Sequence, residues 1–349
     1  MNEPNDAAQE GFDQLKRNLE VRYPEDSDLS LDEFLNVESL LALAVRDLMR
    51  QLGFVPEPAR NSRGIDISIP AIGLKVYNSG NGKARASFPY CVRQDMRSGA
   101  VTVYCPLLPD GSLPYWRALI EFARLSGSEG FPDSCKRANG MALKRMLHGI
   151  VRATGDRPEL LLVNSYGRIR QRDWWPGISD SGLESGPLSY GPTGYEEPLD
   201  LAGSKLRILR IRSGLNGEVP DWFTDEVAAG GADDGTVPNR RDKQGLFKMD
   251  GYFLALAPRP GDAQYKWSAR GSKYDSPTAA FCEKTINEYC LLSPGSEAEA
   301  LASVKYAEAL RGCMVQLYKN DMRVNLPAPL HLAEQVEEYI WDWELTGRR

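Results

Sequence analysis

Apolar residues recur along this chain with two periods, and the alternation between them predicts a layered α/β protein. Helical spacing appears over residues 37–52, where Leu40, Leu41, Ala44, Leu48 and Leu52 form one face and Gly53 supplies the stop. It returns over about 113–125, with Pro114 in the first turn, and over about 134–154. Ser296-Glu-Ala-Glu299 is a capping box that opens a further helix to about Tyr318, carrying Ala300, Ser303, Ala307, Leu310, Met314 and Leu317. The last helix starts at Pro329, a residue suited to a first helical turn, and runs to Trp343. Its stripe is Leu332, Val336, Tyr339, Ile340 and Trp343, and His331, Glu334 and Glu338 fall together on its flank. A helix that docks by this stripe and solvates its acids accounts for that pattern.

Strand signals lie between the helices. Short β runs are predicted at 65–69, 73–77, 86–93 and 100–105. Residues 159–163 are continuously apolar, as in a strand buried on both faces, and end at Asn164. Residues 206–212 place Leu206, Ile208, Arg210 and Arg212 on one face, so that face changes from apolar to cationic along the strand. A strand at 252–257 is followed by strict alternation at 264–270, with Tyr265, Trp267 and Ala269 on one side. Lys266 and Arg270 lie on the other side, with Lys273 just beyond. Residues 179–204 and 227–245 read as long loops. The pattern divides the chain into an acidic tail or linker (1–36), a smaller α+β region (37–155) and an α/β domain with a mixed sheet flanked by helices (156–349).

Composition changes this picture little. With 349 residues, 42% hydrophobic content and seven tryptophans, the chain can bury substantial cores. No apolar run approaches a membrane span, and the acidic N-terminus resembles neither a signal nor a transit peptide, so a cytoplasmic, bacterial location is expected. The net charge of −6 is concentrated in residues 1–36, which hold ten acids and three bases; the rest is near neutral and can carry a basic groove. The six cysteines make no CxxC pair, which argues for reduced, buried thiols rather than zinc or disulfides.

Several chemistries are disfavoured outright. Gly80-Asn-Gly82-Lys83 lacks P-loop spacing and reads as a hairpin turn. No nucleophile elbow or dinucleotide fingerprint occurs, and His148 and His331 have no Ser or Cys partner pattern. Arg210, Arg212, Lys266, Arg270 and Lys273 together would suit a phosphate backbone, in a salt-sensitive way. Trp174, Trp175 and Trp267 suit either base stacking or core packing.

Taken in order, these pieces resemble the PIWI domain of Argonaute-like proteins and, within it, the prokaryotic PIWI-RE family. Leu160-Leu-Leu-Val-Asn164 followed by Arg168 and Trp174-Trp-Pro-Gly177 resembles the first PIWI strand. Residues 206–222 resemble its Arg-rich strand, and Tyr252-Phe-Leu-Ala-Leu-Ala-Pro258 with Ser268-Ala-Arg270 the following hairpin. Asn287-Glu288, Leu310-Arg311 and Leu326-Pro-Ala-Pro-Leu-His-Leu-Ala333 complete the series.

The resemblance implies an RNase H-like fold for 156–349 and a MID-like or PIWI-associated region for 37–155. It implies binding of guide and target strands in prokaryotic defence against plasmids or phages, beside a helicase, a nuclease or a separate N-terminal half of the protein. It places Asn164, Ser213 and Glu334 at catalytic positions and makes Glu218, Glu288 and Arg311 candidates for the family's Arg and Glu. An active PIWI site carries acids that hold Mg²⁺ or Mn²⁺; Asn164 and Ser213 replace two of them, which predicts binding without efficient cleavage. The alternatives are a metal-dependent nuclease using Glu184, Glu218, Asp250 and Glu334, and a protein–protein scaffold.

Overall fold

The computed structural model describes residues 69–78, 87–128, 136–165, 167–184, 188–213, 245–256, 286–311 and 326–340, with Val45, Leu48, Leu52 and Val219 besides. The chain divides into two units, Met1–Leu48 and Met49–Arg349, and the elements below belong to the second.

Among the described residues nine strands form one mixed sheet. β1 (Ala71–Asn78) starts a meander, pairing antiparallel with β2 (Ser87–Gln94), which pairs with β3 (Val101–Tyr104) and then β4 (Ser112–Pro114). On its other side β1 runs parallel to β5 (Glu159–Asn164). Two two-residue strands, β6 (Ser189–Tyr190) and β7 (Glu197–Pro198), pair apart from the main sheet. β8 (Leu206–Ser213) is parallel to β5 and antiparallel to β11 (Ile286–Leu291). β9 (Gly245–Lys248) and β10 (Phe253–Leu256) close the far edge, giving the order β4-β3-β2-β1-β5-β8-β11-β10-β9.

The division expected at 155/156 cuts through this sheet, because β1 pairs with β5 and the meander shares its cores. β5 is buried at every position, as its apolar run predicts for a strand covered on both faces. The loop read at 179–204 contains a short helix, α3 (Asp180–Glu184), and the β6–β7 pair. β11 went unread because Asn287 and Glu288 interrupt its apolar pattern, although both are buried. The strand read at 65–69 and the hairpin at 264–270 lie outside the described residues, apart from Ile69.

Helices cover both faces. α1 (Tyr115–Ser128), α4 (Glu297–Leu310) and α5 (Ala328–Val336) contribute to a core that includes Ala71, Tyr90, Leu162 and Ile211. α2 (Lys136–Thr154) and the Trp174-Trp175 segment cover Leu74, Leu161, Val163 and Ile208 on the opposite face. The capping box of α4 forms as read: the Ser296 hydroxyl accepts from the Glu299 N–H, and the Glu299 carboxylate accepts from the Ser296 N–H. Among the described residues no helix is long and apolar enough to cross a membrane. Cys91 and Cys105 are buried and Cys290 is part-buried, all as free thiols.

The contact that positions the candidate site is between β1 and α5. A Cβ at Gly73 would fall 2.5 Å from the Pro329 carbonyl carbon and oxygen, so only glycine allows the strand and helix backbones this close. The Tyr90 and Tyr115 hydroxyls then donate to the Ala333 and Leu332 carbonyls, at 2.7 and 3.0 Å. These bonds fix the rotation of α5 over the centre of the sheet.

Candidate functional site

Successive residues of a strand face opposite ways, so Gly73 and Lys75 both look toward α5. The Lys75 ammonium lies 3.1 Å from Glu337 Oε1 and 3.5 Å from Glu334 Oε1. Glu337 Oε1 also accepts from the Tyr90 hydroxyl at 3.2 Å. The expected flank of His331, Glu334 and Glu338 is thus rearranged. After Val336 the helix tightens into a 3-10 turn over Glu337–Tyr339, and three residues per turn bring Glu337, rather than Glu338, beside Glu334. Glu338 is exposed, and His331 Nε2 lies 3.0 Å from Gln335 Nε2.

Burial pushes the Glu334 carboxyl above the usual carboxylate range; Lys75 opposes this and Glu337 adds to it. Burial, followed by the charge of Glu337, raises the Tyr90 phenol well above its ordinary value.

Asn164 shares this part of the sheet. Leu74 pairs with Val163, so one step further along the parallel strands Lys75 and Asn164 stand level. Asn164 is buried and pairs with Ile211; Ser213 closes β8, opposite Asn287. The sheet therefore brings the Asn164 and Ser213 positions onto neighbouring strands. The side chain that meets Glu334, however, is Lys75 of β1.

A Mg²⁺ or Mn²⁺ centre does not fit these residues. Such ions need several converging oxygens, and here an ammonium already contacts the two carboxylates that could supply them. Among the described residues no group of three His, Cys, Asp or Glu could hold a metal. Of the acids in the alternative nuclease set, Asp250 lies between β9 and β10 at the far edge of the sheet, Glu218 lies outside the described residues, and Glu184 ends α3.

The arginines of β8 do share a face, as their spacing predicts, but that face is not an open cationic rim. Glu288 of β11 pairs in register with Arg212, and Asp180 opens α3 nearby. Arg210 donates to Ile178 O at 3.1 Å, Asp180 Oδ1 at 2.7 Å and Glu288 Oε1 at 3.1 Å. Arg212 donates to both Glu288 oxygens, at 2.8 and 2.6 Å, and to Asp180 Oδ2 at 2.7 Å. Two guanidinium groups thus face two carboxylates, which compensates the charge expected to bind phosphate. Partial burial raises the Asp180 carboxyl, but the hydrogen bonds and charges of Arg210 and Arg212 prevail and hold it below the usual range.

Glu288 and Arg311 do not pair with each other. Arg311 is fully buried and donates to both Glu308 oxygens at 3.0 Å; Glu308 also accepts from the Tyr289 hydroxyl. Tyr289 alternates with Glu288, so the two networks occupy opposite faces of β11. Arg168 is exposed in a 3-10 turn, Gly167–Arg170. Lys266, Arg270 and Lys273 lie outside the described residues. Lys75 and Glu337 escaped the sequence reading, although a lone lysine inside Ala-Ile-Gly-Leu-Lys-Val-Tyr-Asn was a signal: a charge in a buried strand needs a partner.

The model of one protein family, described as the RNaseH domain of pPIWI_RE, matches residues 71–342. The chain belongs to this family. The match begins at the first residue of β1, so the meander assigned by sequence to a separate region is part of this pPIWI_RE RNaseH domain, whose RNase H-like fold is the mixed sheet flanked by helices. No curated protein matches the chain. Similar solved structures include Marinitoga piezophila Argonaute in complex with 5′ OH guide RNA, at 11% identity and a TM-score of 0.35, covering 82% of this chain and 31% of that one. The C-terminal lobe of a budding yeast Argonaute is 8% identical, with a TM-score of 0.37 and coverage of 88% and 55%. Endonuclease V from Bacillus subtilis is 10% identical, with a TM-score of 0.31 and coverage of 93% and 96%. The chain spans about a third of the Marinitoga protein's length and about half of the yeast lobe.

Proposed function

We propose that this RNase H-like domain binds guide and target nucleic-acid strands without cutting them, as part of prokaryotic defence against plasmids or phages. The observation that supports this most is the Lys75 ammonium between Glu334 and Glu337. Hydrolysis by the two-metal route requires cations that activate water and stabilise the leaving oxygen. A lysine at the centre of the sheet, level with a neutral Asn164, supplies neither. Membership of the pPIWI_RE family supports nucleic acid as the ligand. Arg168, with Lys266, Arg270 and Lys273, supplies the phosphate contacts in this reading. Arg210 and Arg212 instead hold Glu288 and Asp180 in place. A helicase, a nuclease or a separate N-terminal half provides the chemistry that this chain lacks.

The test combines binding and cleavage. Fluorescence anisotropy with short labelled single strands and duplexes gives affinity as a function of salt. For a single strand the log–log slope falls by ~0.7 per phosphate neutralised, so each lysine or arginine contact removed reduces it by about that amount. Incubation of guided target with Mg²⁺ or Mn²⁺ is expected to leave it intact. Cleavage that disappears in Glu334→Ala would establish the nuclease reading instead. Absence of binding at low salt would leave the scaffold reading.

A further inference from the structure

On the sheet face turned away from α5, α2 stands over β2 and β3 without filling the space beneath it. The helix is anchored by Leu143 and Leu147, which are buried against β1, β5 and β8 residues. Toward β2 and β3 it presents Ala142, Gly149 and Ala153, which are too small to reach the strands, and a Cβ at Gly149 would meet nothing within 4 Å. The result is a slot of about 580 Å³, within the size range of small-molecule sites. Ile72 and Tyr104 form its sheet wall and Met146 and Ile150 its helix wall.

The charges around the slot are unequal. Arg93 reaches over its β1 partner Ile72, and its Nε donates to Glu159 Oε1 at 2.6 Å. The second Glu159 oxygen accepts from the Thr154 hydroxyl at 2.9 Å, so this carboxylate is fully engaged. The terminal Arg93 amines make no hydrogen bond among the described residues, and neither does Arg145, exposed at the rim. Two guanidinium groups against one carboxylate leave a single positive charge beside apolar walls. The nearby thiols are uncharged, since burial pushes Cys105 up to about 12 and Cys91 higher.

We propose that this slot binds a nucleoside monophosphate, with the base between the sheet and helix walls and the phosphate on Arg145 and the free amines of Arg93. A helix layered over a sheet leaves a flat gap that suits a planar ring. Guanidinium forks with open donors suit phosphate oxygens, and no free carboxylate opposes them. A free mononucleotide and a nucleotide within a strand share this chemistry. The slot is separate from the Lys75 cluster, which lies on the other face of the sheet.

Isothermal titration of the full chain with adenosine monophosphate, adenosine and decanoate tests the proposal. Adenosine monophosphate is expected to bind, with adenosine about tenfold or more weaker through loss of the charge-assisted contacts. Arg145→Ala is expected to weaken the nucleotide by a similar factor. Gly149→Leu fills the slot and raises helix propensity, so it should abolish binding without lowering the melting temperature. Competition by a short single strand identifies a strand nucleotide as the occupant, and its absence a free mononucleotide. Failure of the nucleotide and of the strand to bind, binding that survives Gly149→Leu, or a preference for decanoate would each overturn the proposal.

Discussion

Replacing Lys75 by methionine keeps the length and apolar stem of the side chain and removes its charge. Two carboxylates then face each other beneath α5 without a cation. At 3.1 and 3.5 Å, and with an effective dielectric constant of about 20, each attraction amounts to about 5 kcal/mol before desolvation. Most of this is not net stability. Lys75 is 17% exposed, but Glu334 and Glu337 are 43% and 37% exposed and partly screened by water. The expected loss lies between the ~1 kcal/mol of an exposed pair and the ~3–5 kcal/mol of a broken buried one, at about 2 kcal/mol at pH 7.5.

The pH dependence gives the sharper test. Without Lys75 the one attraction that opposes the upward shift of the Glu334 carboxyl is lost, so its folded pKa lies further above the unfolded one and the folded state loses stability as pH rises through that interval. Near pH 4, below the raised range of the Glu334 carboxyl, the difference between Lys75→Met and the parent should shrink below about 1 kcal/mol. Urea denaturation at the two pH values measures this. An equal loss at both would assign Lys75 a packing role, and a gain at pH 7.5 would refute the ion-pair reasoning altogether.

Other perturbations follow from the same geometry. Glu334→Gln removes a carboxyl whose folded pKa is raised, so the parent's decline in stability above pH 4.5 should flatten, with neutral or slightly positive effect at pH 7.5 in a melting series. Gly73→Ala drives a methyl into the Pro329 backbone and should cost about 2–4 kcal/mol in denaturant titration, whereas Gly149→Ala, in open space, should not destabilise. Arg311→Met strands Glu308 in the core and should cost about 3–5 kcal/mol; adding Glu308→Gln should recover part of that in a double-mutant cycle.

Periodicity made much of the fold legible because most elements carry their burial in their own spacing. β5 is buried throughout and reads as an apolar run; α4 announces its start in Ser296 and Glu299; β8 alternates between core and charge. β11 was hidden because Glu288 and Tyr289 are held by partners far away in sequence, from β8 and from α4. The candidate site was half legible for the same reason. The order of motifs pointed to Glu334, but its counterpart depends on β1 passing under α5, a pairing that no local pattern encodes. The 3-10 tightening after Val336, which exchanges Glu338 for Glu337, is likewise a tertiary effect.

The close passage of β1 under α5 also has a consequence for how the chain is made. Tyr90 and its acceptor at Ala333 are 243 residues apart. During synthesis the meander emerges first, and the helix that roofs it follows only after the rest of the sheet. Until then Ala71, Tyr90 and Leu162 lack the α5 part of their core, and the charge of Lys75 has neither carboxylate. So long a loop to close favours slow folding, and the unroofed face is prone to association in the meantime. Shortening the chain ahead of Ala328 should therefore yield an insoluble product rather than a smaller soluble domain.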